Sequence, residues 1–123
     1  YDSFYSSVDA EAVAGPFILL GQQVGDKYGG NHDIAVLDTR SRKSVTVASM
    51  DMYEFRGAAI RDDGAVAWFR YAFDGPPIIW FRELGQPERQ ITRISGGYAA
   101  DLHVDQTTVS WTESGAPHSI PIN

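Results

Sequence analysis

The side chains able to carry chemistry are few and scattered. His32, His103 and His118 are the imidazoles. A metal site needs two or more ligands at compatible spacing, such as His-x-His along a strand. None of the three has such a neighbour, so they read as surface or loop histidines. Cysteine is absent, which removes disulfides, thiolate nucleophiles, zinc ribbons and iron–sulfur ligation. The oxygen-rich stretch Asp26-Lys27-Tyr28-Gly29-Gly30-Asn31-His32-Asp33 offers Asp26, Asn31 and Asp33, the donor type that holds calcium in a flexible loop. Their spacing departs from Asp-x-Asn-x-Asp-Gly, and no glutamate closes the twelfth position. A long solvated hairpin loop is the plainer reading, and no cofactor is expected.

Nucleophilic and acid–base chemistry find no better support. No serine sits in Gly-x-Ser-x-Gly. Ser95-Gly96-Gly97 follows a strand but precedes no helix, so it makes neither a nucleophile elbow nor a phosphate cradle. Asp62 and Asp63 are consecutive, and neighbours on an extended chain point apart. The expectation is that the chain is not an enzyme. Arg40, Arg42 and Lys43 cluster at a turn and read as a solvated tip. The aromatic middle is more suggestive. Trp68 and Trp111 are assigned to packing between sheets, whereas Tyr71, Phe73 and Trp80, around the apolar loop YAFDGPP, are the candidates for binding a carbohydrate or peptide.

The elements that must position these residues are strands. Short runs of β-branched and aromatic residues recur between Gly, Pro, Asp and Ser clusters: 17–24, 34–39, 44–48, 58–60, 65–71, 78–84, 90–94, 102–104, 108–112 and 119–122. Alternation is clear in Val66-Ala67-Trp68-Phe69-Arg70-Tyr71, the mark of a strand with two different faces. Residues 9–14 contain helix formers, but Gly15-Pro16 ends that run within one turn. The reading is all-β.

The strands also repeat. Leu102-His103-Val104, a turn and Val109-Ser110-Trp111 match Ala58-Ala59-Ile60, a turn and Val66-Ala67-Trp68, with the tryptophans 43 apart. Glu11-Ala12-Val13, a turn and Ile18-Leu19-Leu20 repeat the pattern with Leu20 in the tryptophan position. Ile34–Asp38 matches Ile78–Arg82 at an offset of 44, and Ser119–Ile122 begins a third copy. The unit is two hairpins in about 44 residues, the period of a propeller blade. Asp63-Gly64 is expected to form a tight turn with positive φ at both residues, and 24–33 is the longest insertion.

The segments Gly57–Phe69 (GAAIRDDGAVAWF) and Ile78–Thr92 (IIWFRELGQPERQIT) resemble the blades of TolB-like and WD40-like propeller repeats. Arg61–Trp68 and Thr108–Ser119 resemble, more narrowly, propeller-like repeats of secreted actinobacterial proteins. The resemblance implies one all-β repeat domain over 1–123, with tandem four-stranded antiparallel units near 11–48, 57–94 and 100–122. That is about 2.75 units, an incomplete propeller, with a β-sandwich or barrel as the alternative. Such repeats scaffold binding sites more often than chemistry.

Ten bases against 16 acids leave a net charge of −6. That excludes the basic face a nucleic-acid binder needs and disfavours docking on anionic membranes. No apolar run approaches a membrane span, so no membrane insertion is expected. The start at Tyr1 reads as a processed end or as the boundary of a piece of a longer protein. Eleven strands cannot close a ring whose blades number four to eight, and open edges invite pairing. The expected function is therefore a binding or scaffold domain of an exported protein, which self-associates as a homo-oligomer or binds a protein partner through open blade edges. The alternatives are a carbohydrate- or peptide-binding module and a fibre subunit with strand donation.

Overall fold

The computed structural model describes residues 4–26, 28–71, 75–95 and 98–122. Among these it contains eleven strands and no helix. They form three antiparallel sheets joined in chain order. The first contains β1 (Phe4–Ala14), β2 (Phe17–Asp26), β3 (Gly29–Asp38) and β4 (Lys43–Asp51). The second contains β5 (Phe55–Ile60), β6 (Val66–Tyr71), β7 (Pro77–Arg82) and β8 (Arg89–Arg93). The third contains β9 (Ala99–Val104), β10 (Thr108–Glu113) and β11 (Ala116–Pro121). Every sheet is a simple meander, and none closes into a barrel.

The sheets stack face to face because the strands alternate in burial. In β2, Phe17, Leu19 and Gly21 are buried while Ile18 and Leu20 are half-buried; in β3, Ile34 and Val36 are buried while Ala35 and Leu37 are not. Phe17, Leu19, Ile34, Val36, Val47 and Met50 pack against Val66 and Trp68, which joins the first sheet to the second. The opposite face of the second sheet presents Ala67, Phe69, Ile79 and Phe81 to Val104, Val109 and Trp111 of the third. The second sheet is thus apolar on both faces, and β6 reads as a continuous buried run. Trp68 and Trp111 each face the preceding sheet, as their equivalence in the repeat requires. The first strands meet: β5 touches β1 on one side and β9 on the other.

Arginines tie the sheets where side-chain packing ends. Arg82 Nη1 donates to the Val47 carbonyl at 2.8 Å, linking second sheet to first. Arg89 Nη2 donates to the Ile122 carbonyl, linking second to third. Arg61, only 8% exposed, donates through Nε and Nη2 to the Asp63 carboxylate at 2.8 and 2.7 Å. Its Nη1 reaches the carbonyls of Asp105 and Gln106 at 3.2 and 3.4 Å.

Several local expectations are corrected. Residues 24–26 and 29–33 are strand and not loop: β2 and β3 stay paired from Phe17↔Asp38 to Asp26↔Gly29. The glycines permit it. A Cβ on Gly30 would lie 2.3 Å from the Val24 carbonyl oxygen, so only hydrogen fits where the two backbones converge. β1 is eleven residues long and starts well before Glu11, because a ten-residue partner gives it something to pair with; a bulge between Ala10 and Ala12 absorbs Glu11. In the β5–β6 turn only Gly64 has positive φ, at +88°. Asp63 stays at negative φ, and its carboxylate accepts from Arg61 and from the Ala65 N–H.

Candidate functional site

The fold separates the residues that the sequence offered as a ligand platform. Tyr71 closes β6 on the face toward the third sheet, half-buried, with the Arg56 guanidinium 5.1 Å from its ring centre. Trp80 pairs across strands with Trp68 and packs on the opposite face, against the first sheet. Phe73 lies outside the described residues. Tyr71 and Trp80 therefore do not converge.

The calcium candidates are drawn into the β2–β3 hairpin. Asp26 accepts the Tyr28 N–H at 2.8 Å, Asp33 accepts from Ser49 Oγ, and Asn31 pairs with Val24 inside the ladder. Among the described residues no three His, Asp or Glu side chains gather as a metal site would need. The histidines lie in three separate places. His103 is exposed opposite Ser110. His118 stacks on Trp111 with centroids 5.9 Å apart and has Glu113 at 3.7 Å. His32 is no surface histidine: it is 7% exposed, stacked on Phe55 at 4.1 Å, and its Nε2 has no hydrogen-bond partner. Burial holds its pKa below the usual imidazole value, against the opposing pull of the Glu11 and Asp33 carboxylates. Arg40, of the basic turn, folds back on Asp38 at 3.1 Å and over the Phe17 ring.

A shallow groove of about 310 Å³ runs between the β5–β6 and β9–β10 turns, lined by Ile60, Arg61, Asp62, Val104, Asp105 and Gln106. Its polar groups bind one another: Gln106 Nε2 donates to Asp62 at 3.1 Å, and Arg61 is engaged as above. The groove is a seam between sheets.

The surface with least to explain it otherwise is the outer face of the first sheet. Pairing places Val13, Ile18 and Leu37 in one row across three strands, and Ala10, Leu20 and Ala35 in the next; Ser44 and Thr46 of β4 end the two rows. Val8 stands beside Gln22 further along. Val8 is 60% and Val13 68% exposed, while Ile18, Leu20 and Leu37 are half-buried by their neighbours alone. Polar residues (Gln22, Asn31, Asp33, Ser49) occupy the end near the β2–β3 turn. In the second and third sheets the equivalent positions are Trp68 and Trp111, both covered by the sheet before. The signal was present in the sequence, since Leu20 stands in the tryptophan position of its unit.

The far face of the third sheet is different. Thr108, Ser110 and Thr112 of β10 alternate with the buried Val109 and Trp111, and their partners are Pro121, Ser119 and Pro117. The free edge of β11 is blunted as well. The Ser114-Gly115 turn has positive φ at both residues and is closed by Glu113↔Ala116; Ile122 N–H donates to the Thr107 carbonyl at 2.9 Å. Hydrogen-bonded pairs alternate from those two anchors, so residues 117, 119 and 121 turn their backbone groups outward. Two of these are prolines without an N–H, which leaves Ser119 the one outward donor on that strand.

No family model, curated protein or solved structure matches the chain.

Proposed function

We propose that the chain is a non-catalytic binding or scaffold domain of tandem blade-like sheets, and that it engages protein through the outer face of its first sheet. The carrying observation is that face: an apolar surface with Val8 and Val13 largely exposed, in the position where the next two sheets each have a neighbour. Contiguous exposed apolar surface rimmed by polar residues is characteristic of interaction sites. The blade reading is supported by the sheets' order and by the meeting of β1, β5 and β9. It shifts the contact expected at open edges to a face, because the prolines of β11 disfavour strand addition there. The proposal takes the protein to be exported, on the resemblance to secreted repeat proteins.

The test is a photo-crosslinking residue at position 13, compared with one at position 110, in cells that make the protein. Adducts to protein from position 13 and none from 110 are expected. No adduct at 13, or equal adducts at both, would overturn the reading.

A carbohydrate- or peptide-binding reading has one observation in its favour. Tyr28, Tyr53 and Tyr98 are all exposed and all stand on connections at the same end of the stack, since each strand crosses it once. Intrinsic fluorescence titrated with a glycan and peptide panel tests it, and a flat response sinks it.

A further inference from the structure

Trp68 and Trp111 hold equivalent places in the two layers of core, but only one of them is satisfied. Trp111 Nε1 donates to Glu113, two residues on, at 2.9 Å. Two residues after Trp68 stands Arg70, which has no acceptor to offer and donates to Glu54 at 3.0 Å. Among the described residues, the buried side-chain nitrogens without a hydrogen-bond partner are His32 Nε2, Trp68 Nε1 and Trp80 Nε1. All three belong to the layer between the first and second sheets. The indoles are paired across β6 and β7 and face it, and His32 meets Phe55 there. We infer that this layer opens in acid, with His32 as its trigger, while the second and third sheets stay together.

The placement of His32 suits that role. Its ring lies on Phe55 with centroids 4.1 Å apart and 15° between the planes, so a first-sheet side chain and a second-sheet side chain make the contact. A proton there puts a charge on a ring that is 7% exposed, where water cannot reach to solvate it. Its ladder partners, Gln23 and Met50, carry no charge. Glu11, whose carboxylate lies over Gly21, and Asp33, which accepts from Ser49 Oγ, both favour the imidazolium. From the second sheet, Arg70 shares the row of Phe55 and is neutralised by Glu54; Asp51 of β4 caps the Tyr53 N–H. Desolvation outweighs the two carboxylates, so the closed layer holds His32 neutral and opening takes up the proton.

The remaining contacts decide which layer parts. Arg61 and Arg89 hold the third sheet by backbone carbonyls, and Gln106 adds a bond to Asp62. From the second sheet, Arg82 holds the first. The four strands of the first sheet pair only with one another, so it can move off without breaking a ladder. The layer between the second and third sheets has no buried histidine, since His103 and His118 are exposed.

Thiol trapping reads each layer separately, because the chain has no cysteine of its own. Val47→Cys puts a thiol in the first layer and Val109→Cys puts one in the second; both valines are buried. Each full chain is treated with a dipyridyl disulfide, which reacts with thiols in acid, and rates are normalised to a cysteine peptide at the same pH. At position 47 the normalised rate should rise up to about tenfold per pH unit below about 6.5, then level off beneath the folded pKa of His32. At position 109 it should stay flat. Adding His32→Phe, which keeps a ring on Phe55, or His32→Leu should flatten the profile at position 47. A flat profile at 47 without those replacements, an equal rise at 109, or a rise at 47 that survives both replacements overturns the inference. The contrast between 47 and 109 decides even where a replacement fails to fold.

Discussion

Replacing Arg61 with methionine tests whether arginine clamps, and not apolar contact alone, hold the third sheet on the second. Methionine keeps an unbranched apolar stem and removes the guanidinium. Three losses follow. The two bonds to the Asp105 and Gln106 carbonyls are long, at 3.2 and 3.4 Å, and come from a charged donor that is 8% exposed; together they are assigned about 1.5 kcal/mol. The fork on Asp63 has close geometry, but that carboxylate is 49% exposed, so solvent screening holds its share to about 0.5–1 kcal/mol. Loss of the guanidinium 5.7 Å from the Phe81 ring centre removes about another 0.5 kcal/mol. The total is about 3 kcal/mol. With an unfolding entropy of about 2.1 cal/mol/K per residue, that corresponds to a fall in Tm of roughly 11 °C.

The assay is urea unfolding of Arg61→Met, Arg61→Lys and Asp63→Asn beside the parent chain. Lysine retains the charge but cannot fork, so it should lose about 2 kcal/mol. Asp63→Asn should lose about 1 kcal/mol, because the carbonyl bonds to the third sheet survive it. The acid limb provides an independent reading. Hydrogen bonds from Arg61 hold the Asp63 carboxyl below its usual value. This group therefore contributes stability above the unfolded carboxylate pKa near 3.8, and loses it as pH falls through the lower folded value. Arg61→Met should remove the larger part of that component and leave the part owed to the Ala65 N–H. An Arg61→Met protein within about 0.5 kcal/mol of the parent would refute the clamp. A cost of Asp63→Asn equal to that of Arg61→Met would refute the inter-sheet part of it.

His32 should make the fold acid-sensitive: its folded pKa is lowered, so the unfolded chain takes the proton first, and Tm should decline as pH drops below about 6.5 and level off beneath the folded value. Thermal scans of His32→Leu between neutral pH and pH 5 should show that decline removed. Gly30→Ala drives a Cβ into the Val24 carbonyl and should cost about 2–3 kcal/mol by urea unfolding. Gly21→Ala meets only the movable Glu11 carboxylate and should cost under about 1 kcal/mol; equal costs would contradict the convergence of β2 and β3. Replacing both Pro117 and Pro121 with threonine restores two outward N–H groups on β11, and faster fibril growth by thioflavin fluorescence is expected; an unchanged rate would show that the prolines do not guard that edge.

Strand order was legible because each strand has two unlike faces and each turn carries its own residue chemistry. Val66–Tyr71 declared both its faces, and the 43-residue spacing of Trp68 and Trp111 located equivalent contacts between sheets that are far apart in sequence. The errors fall where a partner, not the strand itself, decides. Residues 24–33 look like a glycine loop, yet β2 runs on to Asp26 and β3 starts at Gly29, because Gly30 lets the two backbones close up. The segment 9–14 looks weakly helical in isolation, but ten residues of β2 offer it a full ladder. His32 carries no mark of burial in its local sequence; Phe55, which stacks on it, belongs to another sheet. Tyr71 and Trp80 stand nine residues apart, and strand alternation across one hairpin still sends them to opposite faces.

The incompleteness of the repeat has moved from an edge to a face. A third sheet of three strands suggests a vacancy for a fourth beside β11, but Pro117 and Pro121 withdraw two of the three outward donors a fourth strand would use. That sheet's far side is also supplied with threonine and serine where the inner sheets have valine, phenylalanine and isoleucine, so the stack is finished there as the polar outer repeat of a solenoid is finished. At the other end only β4 is finished in that way, with Ser44, Thr46 and Ser49 on the outer face. Ile18, Leu20 and Leu37 continue the interior pattern of the repeat onto an open surface, and Val8 and Val13 extend it along the edge strand. Prolines could terminate a ladder at that end too, but they cannot remove an apolar face from water; only covering does that. A stack polar at one end and largely apolar at the other is directional, and that asymmetry is why the proposed protein contact is assigned to the first sheet and not to the third.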